Sequence, residues 1–169
     1  GNLCRIINRS LYIEDSSKVS FKLDSANVLR ANLSSGRMAL GSNYLKDFNL
    51  FLASSYDSPT DINLFTESVK VAGVKMDSTT FKFVADSNLL TAGFSFNNFS
   101  DAANSADVGR SILFQKGNKL DIDIKSGSNV CLHGEKWELS PSRIFVSDSL
   151  IRINDFCISN NGQSFTLDG

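Results

Sequence analysis

Residues able to do chemistry are few in this chain. His133, in VCLHG, is the single histidine. A metal cluster or a histidine-assisted nucleophile needs a second imidazole or converging carboxylates, and the sequence places neither beside it, so a solvent-facing strand histidine is expected. Asp121 and Asp123 in DIDIK fall on one side of a strand, at a spacing that suits the start of a calcium site or a carboxylate pair. Lys125 shares that side, and a mixed-charge wet face accounts for all three. Asp86, Asp148 and Asp168 occupy turn-like positions, where Asp bonds its own backbone. Cys4, Cys131 and Cys157 form an odd set without CxxC spacing, which speaks against a disulfide framework or a zinc site. Cys131 and Cys157 both lie on polar sides of their strands, leaving a pairing open beside the expectation of free thiols. No GxSxG, GxxxxGK[ST] or HExxH motif occurs. The reading is a protein that is not an enzyme and needs no cofactor.

The elements that carry these residues are strands. The chain has 169 residues, 41% of them hydrophobic, with 13 Phe and only 2 Pro, a mixture suited to one core and to strands joined by short polar turns. Its 17 basic and 18 acidic residues are interspersed, so no basic footprint for nucleic acid appears. No apolar run reaches the ~18 residues that span a bilayer, and the N-terminus lacks signal-peptide features.

Candidate hairpins test the alternation. A turn at Asn161-Gly162 sets Ile158 opposite Phe165 and Phe156 opposite Leu167, with Cys157 facing Thr166 on the polar side. A turn at Ser87-Asn88 pairs Ala85 with Leu90, Phe83 with Ala92 and Phe81 with Phe94. A turn at Ser35-Gly36 pairs Leu33 with Met38 and Ala31 with Leu40. A Lys116-Gly117-Asn118 loop pairs Phe114 with Leu120 and Ile112 with Ile122. Further alternating runs are VSFKL, FNLFL (Phe48, Leu50, Leu52), INLF, WEL (Trp137, Leu139) and LIRIN (Ile151, Ile153). FSDAANSADVGRS reads as a loop with room for one helical turn.

These patterns predict an all-β chain: an elongated, curved antiparallel or stacked sheet forming an open, taco-like apolar groove, with a closed β-sandwich or β-solenoid as the alternative. Residues 1–169 read as one β-rich segment excised from a longer chain, because both ends sit within alternating runs and Gly1 has the look of a cloning remnant. The residues expected to line the groove are Leu33, Met38, Leu40, Phe48, Leu50 and Leu52, then Phe81, Phe83, Phe94 and Phe96. The series continues with Ile112, Phe114, Leu120, Ile122, Trp137, Leu139, Ile151, Ile153, Phe156, Ile158, Phe165 and Leu167. Core packing explains the same residues if a second sheet covers them.

The stretch from Gly134 to Gly169, GEKWELSPSRIFVSDSLIRINDFCISNNGQSFTLDG, resembles the TamB family of translocation and assembly module proteins, within the AsmA-like group and in its Bacteroides-type versions. Trp137, Leu139, Pro141, Ile144, Val146, Ile151, Ile153, Phe156, Ile158, Asn160, Gln163, Leu167 and Gly169 match that family's pattern. Phe165 departs from it at a position more often aliphatic. The resemblance implies a periplasmic chain of a Gram-negative bacterium, anchored in the inner membrane by a helix outside this segment. It implies phospholipid acyl chains as cargo, and a BamA-type outer-membrane barrel or nascent barrel strands as partners. Lipid transport or outer-membrane protein assembly is then the expected role; a surface adhesin or structural spacer built on a closed β-module is the alternative.

Overall fold

A computed structural model describes residues 11–98, 104–115 and 119–169. Strands dominate the described residues, which contain no helix and hence none long and apolar enough to cross a membrane. In chain order they are β1 (Leu11–Ile13), β2 (Lys18–Leu23), β3 (Leu29–Leu40), β4 (Asn43–Ser54), β5 (Thr60–Val71), β6 (Val74–Asp86), β7 (Leu89–Asn97) and β8 (Ser105–Gln115). Then follow β9 (Lys119–Ile124), β10 (Asn129–Leu132), β11 (Glu135–Leu139), β12 (Ser142–Val146), β13 (Ile151–Asn154), β14 (Phe156–Asn160) and β15 (Gln163–Leu167). All belong to one open 15-stranded sheet whose paired strands run antiparallel. A single sheet has no partner sheet, which sets aside the sandwich alternative. The chain divides into two compact units, Gly1–Phe81 and Lys82–Gly169.

In the first unit, β3 and β4 form a long hairpin from Leu29↔Ser54 to Leu40↔Asn43, and β5 continues on β4 from Tyr44↔Lys70 to Ala53↔Asp61. The expected turn at Ser35-Gly36 is therefore wrong. Leu33 faces Leu50, Met38 faces Leu45, and the chain reverses at Gly41-Ser42, where Gly41 has φ +60°. Gly36 lies inside β3 for a different reason: a side chain there would run into the Glu14 carboxylate. Glycine permits that close approach.

The same region carries a crease. Opposite Gly36 stands Asp47, at φ +47°, and the apolar positions of β4 change phase across it, from Phe48, Leu50 and Leu52 to Leu45. One left-handed residue in a strand resets the two-residue alternation and bends the strand, as a bulge does. The corner is filled by Phe48, 3% exposed, with Ser35 directly opposite on one side and Thr66 on the other. These flanking residues are small, and their hydroxyls serve carbonyls that the bend leaves aside: Ser35 Oγ donates to Arg37 O at 3.0 Å, and Thr66 Oγ1 donates to Lys46 O at 2.6 Å. Ser17 Oγ lies 2.6 Å from Ser35 Oγ and ties the end of the β1–β2 connection to the same corner.

The second unit is a meander of long rungs, several of them broken into two strands. One half of β8 pairs with β9 (Ile112↔Ile122, Phe114↔Leu120) and the other half with β10 (Asn129↔Asp107, Cys131↔Ser105). Next, β12 pairs with β9 and β11 with β10. On the following rung β13 pairs with β12 and β14 with β11, divided only by Asp155 at φ +57°. The last rung is β15 on β14, prolonged by reciprocal backbone hydrogen bonds between Gly169 and Ile153 at 2.6 and 2.9 Å. The hairpin register at Asn161-Gly162 is as expected in every pair. The β8–β9 register also agrees, although Lys116-Gly117-Asn118 lie outside the described residues, as does Cys4. A turn at Ser87-Asn88 joins β6 to β7; Lys82 Cβ lies 3.9 Å from where a Gly93 Cβ would sit, which fits Phe83 opposite Ala92. The reading of residues 99–111 as a loop needs correction from Ser105 onward, where β8 begins; residues 99–103 lie outside the described residues. Ala106 is small because it sits opposite Phe96, and at 7% exposure it is part of the core.

That core is thin. Among the described residues only Phe48, Val69, Ala92 and Ala106 are buried hydrophobics, whereas Phe21 is 74% exposed.

Candidate functional site

The apolar side chains form cross-strand rows, because residues opposite one another in an antiparallel pair share a face. In the first unit the rows are Val19–Leu33–Leu50–Leu64 and Phe21–Ala31–Leu52–Ile62. Beyond the crease run Ile13–Met38–Leu45–Val69 and, at the strand ends, Leu11–Leu40. No charged residue interrupts these rows. In the second unit, Leu90–Ile112–Ile122–Ile144–Ile153 stand opposite one another strand by strand from β7 through β8, β9 and β12 to β13. Beside them run Phe114–Leu120–Val146–Ile151 and, in the other half, Phe96–Ala106–Val130–Trp137. Leu139–Ile158–Phe165 and Phe156–Leu167 complete the set. Phe94 and Phe96, two positions apart, have ring centroids 5.8 Å apart and tilted by 42°.

Of the residues expected to line a groove, those of β3 and β4 meet in the first unit and those of β7 to β15 in the second. Phe81 and Phe83 lie on either side of the boundary between the units, within β6. The rows also contain residues that sequence reasoning left out of the lining: Leu11, Ile13, Val19, Phe21, Leu45, Ile62, Leu64, Val69, Leu90, Val130, Ile144 and Val146. The alternation in VSFKL, INLF and RIFV was the signal for six of them. Leu45 and Val69 were hidden because the crease shifts their phase.

The positions alternating with these rows are polar, and several of their charges are paired. Arg143 Nε bonds Asp123 Oδ1 at 2.9 Å, and this carboxylate hydrogen bond, followed by its charge, raises the Arg143 pKa. At the crease, Lys46 Nζ lies 3.0 Å from Glu67 Oε2 and 3.4 Å from Asp47 Oδ2. The Glu67 hydrogen bond raises the Lys46 pKa, and Asp47, beside Glu67 and 3.4 Å from the Lys46 ammonium, titrates below the usual carboxylate range. Burial alone would push Asp77 up, but its bond to Lys75, 3.0 Å away, and that ammonium's charge bring it down.

His133 is not on a strand face as expected. It occupies the β10–β11 turn with Gly134, at φ +53° and +84°, the left-handed pair that a two-residue hairpin turn requires. Asp121 and Asp123 are engaged in hydrogen-bonded or ionic contacts, and no group of three His, Cys, Asp or Glu that could hold a metal occurs among the described residues. Cys131 and Cys157 are free thiols. The open possibility of their pairing is excluded by register: Cys131 faces Lys136 on β11, and Cys157 lies on β14, beyond β11. Two strand spacings of about 4.8 Å already exceed the ~7 Å Cα limit for a bridge.

Comparison with protein-family models, with characterised proteins and with solved structures finds no match for this chain. The class that can be stated is thus structural: an open antiparallel sheet whose two units each carry apolar cross-strand rows.

Proposed function

We propose that this chain is a non-enzymatic module of a TamB-like periplasmic protein, presenting an apolar β-surface to phospholipid acyl chains on their way to the outer membrane. The carrying observation is the row Leu90–Ile112–Ile122–Ile144–Ile153. At roughly 4.8 Å per strand it runs about 19 Å, enough for an acyl chain that fills half of a ~30 Å bilayer core. Each methylene laid on it contributes about 0.8 kcal/mol. The exposed Val19, Phe21, Leu23, Phe165 and Leu167 add apolar surface that a soluble domain normally covers.

Trp137, the only tryptophan, stands opposite Val130 in one of these rows and supplies the test. Phospholipid brominated along its acyl chains should quench Trp137 fluorescence on contact, while the unbrominated lipid should not. Absence of quenching at lipid concentrations that saturate binding would contradict the proposal.

A second reading draws on the edges. Every residue of β2 and β15 is exposed, and each strand pairs with one neighbour along its length. Such edges accept an added strand, as in the assembly of nascent barrel strands by a BamA-type partner. A proline in β15 would impair strand capture and spare lipid quenching.

A further inference from the structure

Two charged side chains fall on the apolar face of the second unit: Glu135 at the start of β11, which accepts a hydrogen bond from Asn160 at 2.9 Å, and Arg110. Arg110 lies on β8 two residues before Ile112 and four before Phe114, in an unbroken register with both β7 and β9, so its side chain shares their face. Its cross-strand neighbours are Ala92 and Ile124. Two other arginines find carboxylates, Arg143 with Asp123 at 2.9 Å and Arg30 with Asp24 at 3.6 Å, and Arg37 lies over the Tyr44 ring. Arg110 is exposed and its guanidinium has no hydrogen-bonding or ionic partner among the described residues. The nearest charged positions along β8 and β9, Asp107, Asp123 and Lys125, belong to the other face by alternation or by their place beside Gly109.

The row through Arg110 has a second polar member. It continues from Ala92, Arg110 and Ile124 to Ser142 on β12. Ser142 is 7% exposed and its hydroxyl has no hydrogen-bond partner. The next row along these strands is the aliphatic one, Leu90–Ile112–Ile122–Ile144. A guanidinium without a counter-ion and an unused hydroxyl thus border an apolar track. That is the pattern an amphiphile with an anionic head and a hydrocarbon tail would complement: the head at Arg110, bidentate on its fork, and the tail along the adjacent row.

We infer that Arg110 is the headgroup-recognition residue of the apolar face, and that the preferred occupant is an anionic phospholipid rather than a zwitterionic one. This rests on the lipid reading above and names the lipid class it selects.

The test compares phosphatidylglycerol with phosphatidylcholine of the same acyl chains, each brominated and read through Trp137 quenching with the full chain. The expected result is about tenfold tighter binding of phosphatidylglycerol, equivalent to about 1.4 kcal/mol. Arg110→Gln should bring phosphatidylglycerol down to the phosphatidylcholine value and leave phosphatidylcholine unchanged. Arg110→Lys should keep most of the preference, and 1 M salt should weaken it in the wild type by screening. If Arg110→Gln leaves the ratio between the two lipids intact while Ile122→Glu abolishes binding of both, the arginine assignment is overturned and the lipid reading stands. If the wild-type chain binds neither lipid, both fall.

Discussion

Replacing Phe48 and Phe21 by alanine, separately, separates an uncovered face from a hidden core. Phe48 is 3% exposed at the crease, and Phe21 is 74% exposed in β2. A buried Phe→Ala change costs about 3–5 kcal/mol through lost transfer energy and the cavity left behind. For Phe21 only about a quarter of some 200 Å² leaves water, which at 25 cal/mol/Å² is worth about 1 kcal/mol. With a urea dependence of roughly 1.5 kcal/mol/M, the midpoint should fall by about 2–3 M for Phe48→Ala and by less than 1 M for Phe21→Ala. Far-UV circular dichroism follows the whole sheet, whereas Trp137 fluorescence reports the second unit, where the tryptophan lies. The Phe48→Ala effect should therefore appear more strongly in the dichroism than in the fluorescence. Equal, large losses for both variants would refute the reasoning, because Phe21 would then be covered in solution.

Gly41→Ala should cost about 1–2 kcal/mol, since Gly41 holds φ +60° in the β3–β4 turn, whereas Gly36→Ala should stay within about 1 kcal/mol because only the flexible end of Glu14 must move; thermal denaturation of the two variants checks the order. Asp24 accepts the Val28 and Ala26 amides at 3.0 and 2.9 Å, with Arg30 nearby, and these hold its carboxyl below the ordinary range. A depressed carboxyl contributes stability that is present above the unfolded value of about 3.9 and lost as pH falls through the lower folded value. The Val28 amide resonance should accordingly titrate with a midpoint below about 3.9, and a midpoint at or above it would count against the turn geometry. Asp123→Ala should leave the urea midpoint nearly unchanged, because the ion pair with Arg143 is solvent-exposed, the side chains being 40% and 62% accessible; a clear midpoint shift would show that the pair does more than decorate the polar face.

Much of the fold was legible because the two-residue period is a strong constraint. Asn161-Gly162 fixed the last hairpin, and the apolar and polar residues on either side could segregate in one register only. The same logic failed at Ser35-Gly36, where the dipeptide looks like a turn but lies inside β3. Nothing local distinguishes a glycine needed for a turn from one needed to admit Glu14, a residue distant in sequence. The crease was illegible for a related reason: Asp47 in a left-handed conformation shifts the alternation, so Leu45 and Val69 fall out of phase with Phe48 and Leu50. The second half of DAANSADVGRS read as a loop because its small residues show no apolar stripe, yet Ala106 is small to fit opposite Phe96. Arg110 escaped for want of register, since only the pairing with Ala92 and Ile124 reveals a charge within an apolar row.

The central claim, that one face of the sheet is a lipid path, is tested most directly by photocrosslinking in growing cells. A benzophenone side chain is placed at Ile122, within the longest aliphatic row, and separately at Asp123, the adjacent position on the polar face. The account predicts phospholipid attached at position 122 and none at 123. No lipid at either position, in a protein that remains folded, would contradict it.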